Sequence, residues 1–138
     1  ETAKSRVTDE EKKLKSKMEL YRKISLILAV FIGIFIFYIS SLSSPPNPLP
    51  NSIYLPIIYH YSVFFIFTFL LLFAGKFNSE FVFVILVVSF LYAGLDELHQ
   101  FFVPGRDPSF QDFLLDSAGS FTSFLVLGFR NMIGSKIR

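Results

Sequence analysis

Apolar residues gather into four stretches of the chain, and polar residues punctuate them. The first runs over about 24–43 (ISLILAVFIGIFIFYISSLS) and the second over about 53–74 (IYLPIIYHYSVFFIFTFLLLFA). The third covers about 81–103 and the fourth about 110–133. Each is near the roughly 20 residues that a helix needs to cross a hydrocarbon core of about 30 Å. None alternates with period two. A backbone in lipid must satisfy its polar groups internally, which favours helices over open strands. The pattern therefore predicts an all-α membrane protein of four transmembrane helices.

The breaks between stretches carry turn chemistry. SSPPNPLPN (43–51) has four prolines in nine residues and cannot be helical. GKFNSE (75–80) and VPGRDPS (103–109) read as the other two connections. Ahead of the first stretch lies a charged segment in which Thr8-x-x-Glu11 has the form of a capping box. Residue 1 is Glu, and Met18 is a candidate initiator, so residues 1–17 read as a tag, a fusion remnant or an upstream extension. The expected organisation is a charged cytoplasmic N-terminal segment (1–23), a membrane domain (24–133) and a basic tail (134–138).

Basic residues orient the spans. With four crossings, all of the 13 Lys and Arg except Arg106 fall on one side. The positive-inside rule makes that side cytoplasmic, with both termini in the cytoplasm and the motif loops facing outside. The expected location is the plasma membrane, as a multi-pass protein. The same rule accounts for the basic flanks without nucleic acid. Composition agrees: 52% of the residues are hydrophobic and 19 are Phe. There is no Cys, which excludes disulfides and thiolate chemistry.

Charged residues also sit where a simple span would have none. The third stretch ends in DELHQFFVPGR (96–106), and the fourth begins with Asp112 and Asp116. Asp96 lies about 15 residues past Phe81, or roughly 22 Å along a helix, short of the far interface. Asp116 lies about 10 Å inward from Ser109 by the same measure. Ionisable groups at such depths face a cavity or a partner. Asp96, Glu97, His99 and Gln100 share an arc of about 160°, opposite Leu98 and Phe102. Asp112, Asp116, Gly119 and Ser123 form one stripe, with Ser120 beside it, and Ser109-x-x-Asp112 reads as a second capping box. Four crossings bring His60, which begins the second span, to the same end.

These residues could serve as interhelical glue. Repeated carboxylates at one depth point instead to a site, because like charges bind a cation or a cationic partner. Two chemistries fit. Glu97, Asp112 and Asp116 with His60 and His99 could hold Zn²⁺, Mn²⁺ or Mg²⁺, although their spacing matches no strong metal signature. Alternatively, a carboxylate and a histidine act as general base and acid, while Arg106 receives a phosphate or carboxylate. Arg106 equally suits a pair with Asp107, Asp112 or lipid headgroups. Asp96 and Gln100 join Arg106 as expected binding residues.

At DELHQFFVPGRDPSFQDFLLDSAGS the chain resembles the VanZ-like family of small membrane proteins. Glu97 and Gln100 match its Glu-x-x-Gln pair, and Pro104-Gly105-Arg106 its turn. Ser109, Asp112, Asp116 and Gly119 match the family's positions beyond that turn, and Asp96 and His99 fit an Asp-Glu-x-His-Gln variant. SSLSSPP (40–46) and His60 resemble its Ser-Ser motif and second-span histidine. Many members carry a Lys before that histidine and a Glu-Tyr pair after it; Ile57, Val63 and Phe64 stand there in this chain. A second glycine of the fourth span is replaced by Ser123. The resemblance implies four membrane helices, in a family named for a member linked to teicoplanin resistance.

Two functions are expected from these residues. In the first, an outward-facing acidic pocket between the second, third and fourth spans binds or acts on a lipid-linked or cell-envelope molecule. In the second, the chain is a non-catalytic accessory or assembly subunit of a larger membrane complex and the polar cluster is structural. Membrane lipids are partners in both. The sequence does not decide whether the protein is an enzyme.

Overall fold

The computed structural model describes residues 2–43, 54–75 and 79–136. Its elements are four helices: α1 (Thr2–Ser40), α2 (Tyr54–Ala74), α3 (Ser79–Phe101) and α4 (Phe110–Lys136). Their bounds follow the four apolar stretches closely except at α1. There the helix begins at Thr2 and runs unbroken for 39 residues. Thr8 is thus interior to α1 and does not cap it, which corrects the first capping-box reading. Lysine, arginine and glutamate are good helix formers, so nothing between the charged segment and the apolar one interrupts the backbone. Most of the Pro-rich connection lies outside the described residues, as do Lys76 and the last two residues of the tail.

Among the described residues three helices are long and apolar enough to cross a membrane: Arg6–Ser40, Tyr54–Ala74 and Phe81–Phe101. The fourth helix does not meet that measure. Its first half holds Gln111, Asp112, Asp116, Ser117, Ser120, Thr122 and Ser123, which lower its hydropathy.

Each helix buries a stripe of its residues, large on α2 (His60, Val63, Phe64, Phe67, Thr68 and Leu72) and including small or polar ones on the others. On α1 it is Ser25, Ala29, Ile36 and Ser40; on α3 it is Ser89, Ala93, Asp96, Glu97 and Gln100. The spacings of three, four and seven residues keep each stripe on one face. The outward faces are apolar: Phe31, Phe83 and Phe102 are 64%, 71% and 72% exposed. Such an arrangement is inverted with respect to a water-soluble bundle and suits a lipid environment, where packing relies on small residues and interhelical hydrogen bonds. A compact apolar cluster of Ile36, Val63, Phe64, Phe67 and Ala93 joins α1, α2 and α3. Val63 and Phe64 are therefore core residues in this chain.

The most extensive interface is between α2 and α4. Gly119 makes it close: a Cβ there would collide with the Tyr61 carbonyl oxygen and lie 3.0 Å from the Phe65 nitrogen. Side-chain hydroxyls stitch the same interface. Ser123 Oγ donates to the Phe65 carbonyl (2.6 Å) and Thr68 Oγ1 to Ser120 Oγ (2.9 Å). Elsewhere Tyr92 Oη donates to the Gly33 carbonyl at 2.6 Å, and Ser25 Oγ to that of Leu70 at 2.8 Å. Among the described residues α1 and α4 do not pack against each other, so α2 and α3 separate them.

The α3–α4 turn sets the geometry of the site. Arg106 N donates to the Val103 carbonyl at 3.1 Å, closing a four-residue turn over Val103-Pro104-Gly105-Arg106. Gly105 has φ +80°. Proline at the second position and glycine with positive φ at the third are the requirements of a type II turn. That reversal returns the chain to Ser109 and starts α4 beside the end of α3.

Candidate polar site at the α2–α3–α4 end

His60 sits near the start of α2, Glu97 in the last turns of α3, and Asp112 and Asp116 in the first two turns of α4. The fold brings these four together. His60 Nδ1 lies 3.0 Å from Asp116 Oδ1, and His60 Nε2 lies 3.8 Å from Asp112 Oδ2. Asp116 is fully buried, and His60 and Glu97 are 8% and 9% exposed. One ligand-capable atom from each of His60, Glu97 and Asp116 lies within 4.8 Å of the others. With its proton on Nδ1, His60 donates to Asp116 and presents the Nε2 lone pair towards Asp112. A carboxylate that orients an imidazole in this way is a recurrent arrangement for a general base or a metal ligand.

Glu97 has a second task. Its Oε2 accepts from the Ser109 backbone N–H at 2.7 Å, while Ser109 Oγ accepts from the Asp112 N–H at 3.3 Å. The second capping box thus forms with a substitution: Glu97 from the preceding helix takes the N-cap amide that Asp112 would normally bind. Asp112 is left to face His60. Only one oxygen of Glu97 is occupied, and its Oε1 is buried without a hydrogen-bond partner. Asp116 Oδ2 is in the same condition.

Other expected site residues face elsewhere. His99 turns to α1, where its Nε2 lies 2.9 Å from Ser41 Oγ and its ring stacks on Phe37 with centroids 4.5 Å apart. Gln100 Nε2 donates to Asp96 Oδ2 at 2.9 Å and, more weakly, to Ser40 Oγ at 3.5 Å. The arc on α3 is therefore shared: Glu97 meets α2 and α4, while His99 and Gln100 meet α1. Arg106 Nη2 donates to the Ile39 carbonyl at 3.5 Å, which ties the turn to the end of α1. Among the described residues it forms no ion pair with Asp107 or Asp112, and its Nε is buried without a partner.

Sequence reasoning missed two contributors. The first is Tyr59, whose hydroxyl is buried and unpartnered and whose ring meets that of His60 edge-on at 5.4 Å. Adjacency to His60 was its only signal. The second is the end of α1, whose Ser40 and Ser41 were visible only as a Ser-Ser motif. Six buried side-chain polar atoms among the described residues have no partner, on Tyr59, Ser89, Glu97, Arg106, Asp116 and Ser117. All but Ser89 belong to residues of this end of the bundle. Buried polar groups are normally paired, so a concentration of unpaired ones needs an explanation.

No curated protein and no solved structure matches the chain. A family model does, over residues 3–131, nearly its whole length. The helices, the turn and the clustered acidic residues are consistent with that match, and the chain belongs to the VanZ/LLP1 family.

Proposed function

We propose that this protein binds, and presents for proton-transfer chemistry, the polar headgroup of a lipid-linked or cell-envelope molecule at the outward end of its bundle. In this reading it is a multi-pass plasma-membrane protein, and α4 is its fourth crossing. The observation that carries the proposal is the buried His60–Asp116 pair beside Glu97, with carboxylate oxygens left unsatisfied. Interhelical hydroxyls elsewhere among the described residues are mostly satisfied: Thr68, Ser123 and Tyr92 have partners, and Ser89 alone lacks one. Atoms without partners at one end of a membrane bundle are what a polar ligand would complete.

The roles follow from chemistry. His60, oriented by Asp116, has the geometry of a general base whose Nε2 is presented to a ligand. Asp112 and Glu97 would accept hydrogen bonds from hydroxyl or ammonium groups. The unpaired Nε of Arg106, with its always-charged guanidinium, supports an anionic group such as a phosphate. The apolar faces would hold the lipid tail alongside the bundle.

The test is lipid retention by the purified protein in detergent, read by native mass spectrometry with a polyprenyl phosphate as the probe and phosphatidylcholine as the control. The wild type should retain one polyprenyl phosphate and no phosphatidylcholine. Arg106→Gln and His60→Gln should each weaken that retention by about tenfold, equivalent to about 1.4 kcal/mol. Equal retention by the wild type and both variants would show that the cluster is structural, as in an accessory subunit.

A further inference from the structure

We infer that His60, Glu97 and Asp116 form a binding site for one divalent transition-metal ion, Zn²⁺ or Mn²⁺, held between α2, α3 and α4. The inference deepens the headgroup reading and rests on it for the ion's role; whether the ion binds is a separate question with its own test.

Three features argue for an ion rather than a simple hydrogen-bond cluster. The first is ligand geometry. Zinc binds imidazole nitrogen and carboxylate oxygen at about 2.0–2.2 Å in tetrahedral geometry, so two ligands of one ion lie about 3.3–3.6 Å apart. The three ligand-capable atoms already lie within 4.8 Å of one another, so the widest pair closes by no more than about 1.5 Å. Small side-chain rotations supply that. The three residues come from three helices whose backbones are fixed by the Gly119 approach and the α3–α4 turn.

The second feature is the pair of unoccupied acceptors. Asp116 is fully buried with Oδ2 unpartnered, and Glu97 is 9% exposed with Oε1 unpartnered. Glu97 Oε2 is already committed to the Ser109 amide and Asp116 Oδ1 to His60. Glu97 thus has one oxygen anchored by the protein and one left over, while Asp116 Oδ1 faces His60 Nδ1 at 3.0 Å, a spacing that two ligands of one ion can share once the imidazole proton sits on Nε2. A metal ligand whose other atom is held by the surrounding structure is oriented in this way.

The third feature is charge. Two buried carboxylates need compensation, and an unpaired buried charge is costly. No Lys or Arg pairs with either carboxylate among the described residues. One divalent ion balances two carboxylates, and His60 serves as a neutral ligand. Asp112, 3.8 Å from His60 Nε2, stands on the far side of the ring, where a carboxylate can orient the imidazole through its Nε2–H. The donor set selects the metal. A nitrogen and two carboxylates suit zinc or manganese; calcium would need about 6–8 oxygens, and soft ions prefer the thiolates this chain lacks.

The experiment uses the full chain purified in detergent and stripped with EDTA. Zn²⁺ is titrated by calorimetry and Mn²⁺ by electron paramagnetic resonance. About one equivalent should bind, and Glu97→Gln and Asp116→Asn should each weaken affinity by about tenfold or more, the scale seen when metal-site support is removed. Both substitutions preserve shape, and the Gln carbonyl can still accept from the Ser109 amide. Asp107→Asn, in the exposed turn, should leave binding unchanged. X-ray absorption of the zinc-loaded wild type should show imidazole nitrogen with carboxylate oxygen, a readout that needs no variant to fold. Absence of stoichiometric binding, an all-oxygen shell without imidazole, or full affinity in both folded variants would overturn the site. Polyprenyl phosphate retention by the stripped protein separates the two ideas. Lipid held without metal binding sinks the ion alone, and metal held without lipid discrimination sinks the headgroup reading alone.

Discussion

Gly119 and Gly94 are both helical glycines facing a neighbour, yet they have opposite expected sensitivities. At Gly94 a methyl group would find the Phe113 ring at 3.8 Å, ordinary van der Waals contact. At Gly119 it would strike backbone of α2, which cannot rotate away. Gly94→Ala should be neutral or stabilise by up to about 1 kcal/mol, because alanine is the better helix former. Gly119→Ala should instead destabilise by about 1–3 kcal/mol, the range for overpacking, and should separate α2 from α4 near His60. Thermal unfolding of the two variants in one detergent provides the comparison; equal melting temperatures would refute the close-approach argument. This distinction was half legible in the sequence. Helical spacing put Gly119 on the Asp112–Asp116–Ser123 stripe, because position along a helix determines direction. Which backbone that stripe would meet, and at what distance, depends on the crossing of two helices and has no local signal. The same limit explains His99. Its direction on α3 was readable, but only the placement of α1 decides that it meets Phe37 and Ser41 rather than His60.

At the scale of elements, the start of α4 shows how a cap can link two helices. Ser109 caps α4 in the usual manner, accepting from the Asp112 amide, but its own amide is held by Glu97 of α3. The sequence pattern Ser-x-x-Asp identified the cap correctly, since capping is local chemistry. It assigned the reciprocal bond to Asp112, because a nonlocal competitor is invisible at that range. The first capping box failed for a related reason: Thr8-x-x-Glu11 lies within residues that are good helix formers on both sides, so the helix passes through it. The two boxes therefore differ in what precedes them, a Pro-containing turn in one case and helix-favouring residues in the other. Ser109→Ala should cost about 0.5–2 kcal/mol, as loss of an N-cap does. Glu97→Ala removes the other half of the cap, and amide hydrogen exchange should accelerate at the first turn of α4 in both variants. Unaltered exchange at α4 in Glu97→Ala would mean that the α3–α4 link does not hold the helix start.

For the whole molecule, α4 decides the topology, and hydropathy and charge distribution bear on it differently. By hydropathy, three helices are apolar enough to cross among the described residues, and the polar first half of α4 keeps its described part below that measure. Burial resolves why a crossing is still compatible with its composition. Asp116, Ser120 and Ser123 are 0% exposed, so three of the residues that lower its hydropathy are hidden within the bundle, while Gln111 and Asp112 lie at its very start. Leu114, Phe121, Leu125 and Val126 are 40–50% exposed and form its outward face. A composition average counts both faces equally, whereas lipid meets only one. With four crossings, Arg106 is the one basic residue on the far side; with three, Arg130, Lys136 and Arg138 would join it, contrary to the positive-inside rule. The absence of Cys permits a direct measurement. Single replacements Glu10→Cys, Asp107→Cys and Arg138→Cys can be probed in intact cells with a membrane-impermeant maleimide. Asp107→Cys should label from outside, and the other two only after permeabilisation. Outside labelling at Arg138→Cys would make α4 a helix that packs on the bundle without crossing. It would also place the His60–Asp116–Glu97 cluster beside a helix that lies at the membrane surface. The buried Asp116 would then have to be shielded by protein alone rather than by a lipid-spanning bundle.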